Sequence, residues 1–200
     1  MWRRQSVLAT TMVAIFAVSA PAAAQQRQGG WFGVGGGWGT ADVKCDDCTG
    51  GDRENSGVGY FNGGFTVNER VLIGAEFNLW TKQFADQELG GTADVNLYNL
   101  FGTVTFYPDA SKGFFVKAGG GGAWMDMDVK VTGTSLTLDL GGGPGFIVGG
   151  GYDIPVGRFA VTVAANYWYG KTSDLKANGE PVLTGVSHNV VGATVGFKIP

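Results

Sequence analysis

The sequence predicts an all-β fold, an eight-stranded antiparallel up-and-down transmembrane β-barrel. Three observations predict it: apolar residues recur at every second position, the links between these segments alternate in length, and few charges lie within the segments. Glycine supplies 36 of the 200 residues and aromatics 12%, whereas only 16% are charged. This composition excludes a disordered chain, and the absence of a Gly-X-Y period excludes collagen.

Four segments alternate clearly between an apolar face and a small or polar face. They span Ser135–Asp153, Arg158–Tyr169, Val71–Trp80 and Ser187–Ile199. Four more are predicted to be strands, although their many glycines blur the register. They span Gly30–Thr40, Ser56–Val67, Asp94–Tyr107 and Phe114–Asp128. The total of eight is even, as is typical of bacterial outer-membrane barrels.

The links between the predicted strands suit such a barrel. Links 68–70, 108–113 and 154–157 are short and contain turn-forming residues. The alternate links are mostly long and hydrophilic, and we expect 41–55, 82–93 and 171–186 to be surface loops. Because short turns of outer-membrane barrels face the periplasm, both termini are expected there too.

The distribution of charge predicts which face meets lipid. A soluble, lipocalin-like barrel would hide its apolar face and needs charges along its exterior. The in-strand charges are instead few and share a face with Gly, Thr and Asn; they are mainly Glu76, Lys117, Asp139, Arg158 and Lys198. We therefore expect the apolar face to meet lipid, with paired charges and glycine on the inside of a narrow barrel.

Aromatic residues near strand ends are expected to form two girdles at the membrane interfaces. They are Trp31, Trp38, Trp80, Tyr107, Trp124, Tyr152, Trp168 and Tyr169. For Trp38 and Trp80, ordinary packing is an equally good alternative.

The N-terminal residues have the pattern of a cleaved secretory signal. Arg3 and Arg4 precede the apolar run Val7–Ala20, and small residues follow at 22–24. The run is shorter than the roughly 20 apolar residues that a membrane-spanning helix needs. We expect residues 1–24 to be removed and the mature chain 25–200, with a net charge of −5, to be an outer-membrane barrel domain.

Two adjacent segments carry a family resemblance. Asn99–Pro108 ends a strand in an aromatic residue and proline, and Gly113–Gly121 starts the next with aromatics and runs into glycines. Over 29–199 the chain resembles the OmpA-like family of small eight-stranded outer-membrane proteins, including opacity-type surface proteins. This resemblance implies surface loops with structural, adhesive or interaction roles. The chain ends in Phe197-Lys198-Ile199-Pro200, however, where members often end in Phe, and we expect no peptidoglycan-binding domain after the barrel.

Few residues could carry chemistry. Cys45 and Cys48 lie in the first long link, where an oxidising compartment favours a loop disulfide over a metal or redox site. His188 is expected at the solvated rim rather than as a general base, and Asp126 and Asp128 are expected at a solvated strand end.

We therefore expect no catalytic residue, cofactor or metal. The expected partners are the outer-membrane bilayer and an extracellular molecule met by the loops, without nucleic acid, and we expect a monomer. A lipid A-modifying barrel enzyme and a narrow low-conductance channel are the alternative functions.

Overall fold

The computed structural model describes residues 27–46, 52–86, 91–131, 134–172, 175–177, 180–183 and 185–199. These residues form ten strands: β1 Gly30–Lys44, β2 Glu54–Asn68, β3 Val71–Asp86, β4 Gly91–Phe106, β5 Phe114–Val131, β6 Thr134–Val156, β7 Phe159–Lys171, β8 Leu175–Ala177, β9 Glu180–Leu183 and β10 Ser187–Ile199. Among them, no helix is long and apolar enough to cross a membrane.

Eight of the strands close into a barrel. Each pairs antiparallel with its neighbours, and β1 pairs with β10 to complete the ring in the order β1-β10-β7-β6-β5-β4-β3-β2. Closure matters because lipid offers the backbone no hydrogen-bond partners, so every strand edge must be paired. The predicted fold class is confirmed.

The strands extend further than the sequence predicts. β1 continues to Lys44, β3 continues to Asp86 and β4 begins at Gly91, so links 41–55 and 82–93 are shorter than expected. Link 171–186, expected as a loop, contains β8 and β9, which pair as a separate two-stranded ribbon. Strand pairing thus continues into segments whose polar composition is typical of loops.

An apolar belt covers the outside of the barrel. On β3 it runs from Val71 to Leu79, on β4 from Tyr98 to Phe106, and on β5 from Phe114 to Trp124. These nine to eleven residues match the length with which a tilted strand crosses a bilayer. Phe61, Phe65 and many similar side chains are exposed on this face, which confirms the prediction that the apolar face lies on the outside of the barrel.

The lower half of the barrel, next to the short turns, encloses paired charges. Lys117 Nζ lies 2.6 and 2.8 Å from the carboxylate oxygens of Glu76, and Lys198 Nζ lies 2.7 Å from Asp153 Oδ2. The predicted internal pairing is thus confirmed, with Asp153 as an unforeseen partner. Arg158 was wrongly placed, because it lies exposed in the turn between β6 and β7. The Asp139 side chain lies outside the described residues.

Half of the predicted aromatic girdle is inside the barrel instead. Trp31, Trp80, Tyr107 and Trp168 are buried. Trp38 is 63% exposed on the outer face, and Trp124 and Tyr152 are exposed there too. Glycine explains the difference, because glycines on the inner face leave space that only large side chains from neighbouring strands fill.

A bulge interrupts β6. Trp124 pairs with Gly142, but Asp126, two residues on, pairs with Asp139, three residues back. Gly141 lies in this stretch with φ of 74°, a conformation that favours glycine. The single extra residue reverses the alternation, so the prediction that Ser135–Asp153 keeps one phase throughout is wrong.

Candidate functional site

The barrel wall reverses its polarity above the apolar belt. Beyond Trp124, β5 presents Asp126 and Asp128 on its outer face and Met125 and Met127 on its inner face. Seven residues of each of β3, β4 and β5 rise past the belt, which at about 3.3 Å per residue and a tilt near 40° gives roughly 18 Å. Because this part of the wall meets water outside, its apolar side chains turn inward.

Polar contacts cover the outside of this extension. Thr81 Oγ1 donates to Asn96 Oδ1 at 2.7 Å, and Gln83 Nε2 donates to Asp94 Oδ1 at 2.9 Å. Lys130 Nζ also lies 3.1 Å from Asp94 Oδ2. These side chains join neighbouring strands above the membrane, where water can solvate them.

On the side of the extension formed by β1, β2 and β10, Arg53 joins neighbouring strands. Its guanidinium donates to Asn189 Oδ1 at 2.7 Å and to the Thr40 carbonyl at 3.0 Å. Arg53 thereby ties the start of β2 to β1 and β10.

An apolar cavity of about 370 Å³, here called the cup, opens inside the extension. Five strands supply its wall, with Ala41 and Val43 from β1, Phe84 from β3 and Val95 from β4 among the contributors. Met125 and Met127 complete the apolar lining from β5. A volume of this size lies at the lower end of the range for small-molecule sites.

The floor of the cup is closed. Trp80 forms it, and its indole nitrogen donates to the Gly39 carbonyl at 3.5 Å. Below Trp80, a buried apolar cluster fills the barrel with Leu97, Phe101 and Trp168 among its members. The cup is therefore closed at its lower end and is not the entrance to a pore.

The lower interior is filled as well. Asp153 accepts from Tyr107 Oη at 2.6 Å and from Thr162 Oγ1 at 2.7 Å, and Lys198 donates to the Tyr107 hydroxyl at 2.8 Å. The cavity between this network and the Glu76–Lys117 pair measures about 20 Å³, room for about one water molecule.

Carboxylates lie at the rim of the cup. Asp52 and Glu54 line it from the β2 side. Glu54 pairs with Lys82 at 3.2 Å, and the Lys82 ammonium lies 5.8 Å from the centre of the Phe84 ring. In the described part of the chain, Asp52 has no ion-pair partner within 4.0 Å. The rim thus holds one cation between an acid and an aromatic ring, beside a second carboxylate that forms no ion pair with the described residues.

The sequence-predicted site residues do not come together. His188 was expected at the rim but is fully buried, with Nε2 3.2 Å from Asn99 Oδ1. That expectation is wrong because His188 falls on the inward phase of β10. Asp126 and Asp128 are half-buried at the outer face of β5, and Cys45 follows β1 whereas Cys48 lies outside the described residues. The predicted disulfide stays a prediction.

No cluster of three or more His, Cys, Asp or Glu is placed to hold a metal ion among the residues that the structure describes. The cup was missed by sequence reasoning. The sequence feature that indicates the cup is the alternation of Met125, Asp126, Met127 and Asp128. In it the apolar residues occupy the odd-numbered positions, whereas the apolar residues of the outer face before it, up to Trp124, occupy the even-numbered ones.

The two ends of the barrel differ in charge. In sequence, segments 41–55, 81–95, 125–139 and 171–186 contain thirteen acidic and six basic residues, a net charge of −7. The opposite end, with the short turns, has more basic than acidic residues, among them Arg27, Arg70 and Arg158. The mouth of the barrel is therefore the acidic end.

Comparison with known proteins assigns the family. The outer membrane protein β-barrel domain family matches residues 10–198, nearly the whole chain. This chain belongs to that family. A search of curated proteins finds no match. As an outer-membrane β-barrel protein the chain sits in the outer-membrane bilayer, with its apolar belt in lipid, and its long-link end faces outward since the short turns of such barrels are periplasmic.

Several solved structures share the fold. Ail, the attachment invasion locus protein of Yersinia pestis, is similar over 86% of this chain and 99% of its own, with a TM-score of 0.60 and 14% identity. Neisserial surface protein A is similar over 84% of this chain and 96% of its own, with a TM-score of 0.56 and 14% identity. At these identities the likeness concerns the barrel fold alone.

Proposed function

We propose that this outer-membrane barrel is a non-enzymatic surface protein that acts through its extracellular end as an adhesion or interaction protein. The observation that carries the proposal is the strand-built extension above the apolar belt. Its outer face is ordered by side-chain contacts such as Gln83 to Asp94, so it presents a fixed surface to the outside. A rigid scaffold of this kind suits recognition.

The chemistry of that end favours a basic partner. Ail was solved in complex with sucrose octasulfate, a heparin analogue. A net charge of −7 in the long-link segments of this chain would repel such a polyanion and attract a cationic surface. The partner class that we propose is therefore a basic polypeptide.

Binding of charged probes tests the proposal. The protein in nanodiscs of zwitterionic lipid should bind an oligolysine peptide, with an affinity that falls as salt rises, and should not bind heparin. Neutralising any one of the outer acids Asp94, Asp126 and Asp128 to Asn should weaken oligolysine binding. The matched control is Asp109→Asn, which removes one acid from the opposite end. Preferential binding of heparin, or equal effects of the two sets of variants, would contradict the proposal.

The two alternative functions make separate predictions. A channel should give steady currents in planar bilayers, whereas the filled interior predicts none. A lipid A-modifying enzyme should change the mass spectrum of lipid A, whereas we expect no change because His188 contacts Asn99 rather than a carboxylate.

Protease treatment of intact cells should cut only in the long links.

A further inference from the structure

The geometry points to the cup as a binding site for a small amphipathic cation, with an apolar body against the methionine wall and a cationic head at the rim carboxylates. Such binding goes beyond contact of the extracellular end with a macromolecule and does not depend on it.

The apolar wall selects the body of the ligand. Met125 and Met127 are unbranched and polarisable, so they adapt to irregular apolar shapes, and Phe84 offers an aromatic face. The cup is closed below by Trp80 and the cluster beneath it, so a ligand enters and leaves from the extracellular side.

The rim selects the charge of the head. Lys82 already shows how an ammonium is held there, 3.2 Å from Glu54 and above the ring of Phe84. Asp52 lines the same cavity and forms no ion pair with the described residues. An incoming ammonium at Asp52 would meet a carboxylate, as Lys82 does at Glu54, and the acidic surroundings would raise the local concentration of a cation.

The chain supplies its own reporters for a test. Its four methionines are Met1, Met12, Met125 and Met127, and the first two lie in the predicted signal. After signal cleavage, methionine labelled with ¹³C at the methyl group therefore gives two NMR signals, both from the cup. The probes are 3-phenylpropylammonium, 3-phenylpropanol and 3-phenylpropionate, which share one apolar body and differ in charge.

We expect the cation to shift both methyl signals saturably, with a dissociation constant on the order of a millimolar for a ligand of this size. The neutral alcohol should bind about two- to fivefold more weakly, and the anion more weakly still. Asp52→Asn should remove the advantage of the cation over the alcohol, whereas Asp109→Asn at the opposite end should leave it unchanged. Salt should weaken binding of the cation and not of the alcohol.

A blocking variant separates the cup from other sites. Ala93 lies in the cup wall on β4, and Ala93→Trp should fill the cavity and abolish the shifts from all three probes. Absence of saturable shifts, equal binding of cation and anion, or unchanged binding to the Ala93→Trp variant would overturn the inference. Nuclear Overhauser contacts from segment 87–90 to both methionine methyls without ligand would also overturn it, since the chain itself would then occupy the cup. Oligolysine binding measures the surface role separately.

Discussion

Replacing Lys117 by methionine should strongly destabilise the barrel. The Lys117 ammonium lies 2.6 and 2.8 Å from the two carboxylate oxygens of Glu76, and their side chains are only 8% and 1% exposed. Lys117→Met keeps an unbranched side chain up to the ε position but, among the described residues, leaves the carboxylate with Asn62 Nδ2 at 3.0 Å as its one side-chain donor. Breaking a buried pair in this way costs about 3–5 kcal/mol, a factor of roughly one hundred to several thousand in the unfolding equilibrium.

Neutralising both partners should recover most of that loss. In the double variant Glu76→Gln/Lys117→Met no charge is buried, and the new amide can accept from Asn62 Nδ2. It can also donate to Asn62 Oδ1, which is buried and accepts no hydrogen bond from the described residues. The double variant should therefore be more stable than Lys117→Met alone, since replacing both members of a buried pair is often close to neutral.

Reversible urea unfolding from lipid vesicles, followed by tryptophan fluorescence, measures both effects. The midpoint should fall for Lys117→Met with little change in the denaturant slope. The matched control is Lys112→Met, which breaks an ion pair of 3.2 Å to Asp109 whose side chains are 68% and 47% exposed. That solvent-exposed pair should contribute little to stability, so the midpoint should hardly move. Equal losses from Lys117→Met and Lys112→Met, or a double variant no better than Lys117→Met, would refute the reasoning.

Three further changes should have measurable effects. Arg27→Ala removes a guanidinium that donates to carbonyls in two short turns at 2.9–3.4 Å, so hydrogen exchange in those turns should accelerate. Hydrogen bonds from the side chain and backbone of Ser111 lower the pKa of Asp109 to about 2, and Ser111→Ala should raise that pKa part of the way towards about 3.9 in an NMR titration. In Gly35→Ala the new Cβ would lie 2.5 Å from Cε1 of Tyr60, and this overpacking should cost about 1–3 kcal/mol in the same urea assay.

The sequence was sufficient to predict the strands and the lipid-facing side within the membrane. In Ser187–Ile199 every second residue from Val191 to Ile199 is apolar and exposed, whereas Thr194 and Lys198 lie inside, as the alternation predicts. The prediction works there because lipid outside and a polar interior impose opposite demands on successive residues.

Aromatic residues were harder to place from sequence. Trp168 lies near a strand end, as a girdle residue does, yet it is buried inside and 1% exposed. Large rings are favoured both at the membrane interface and in the space left by glycines inside the barrel. Residue type alone therefore does not distinguish a girdle residue from an interior residue. Only the phase of β7, in which Tyr167 and Tyr169 face outward, decides the matter. His188 is a similar case, because its phase in β10 places it inside.

The ends of the strands were mispredicted because one polarity rule was applied to the whole barrel. Within the bilayer the outer face must be apolar. Above the bilayer water reaches that face, so the side chains go on alternating but the polar ones now point outward and the apolar ones inward. On β5 the change occurs between Trp124, on the outer face at the edge of the belt, and Asp126, which follows it on the same face. From there upward the barrel obeys the rule of a soluble barrel, with Met127 inside. The cup is a direct consequence, because a wall that rises past the membrane must enclose its own apolar side chains.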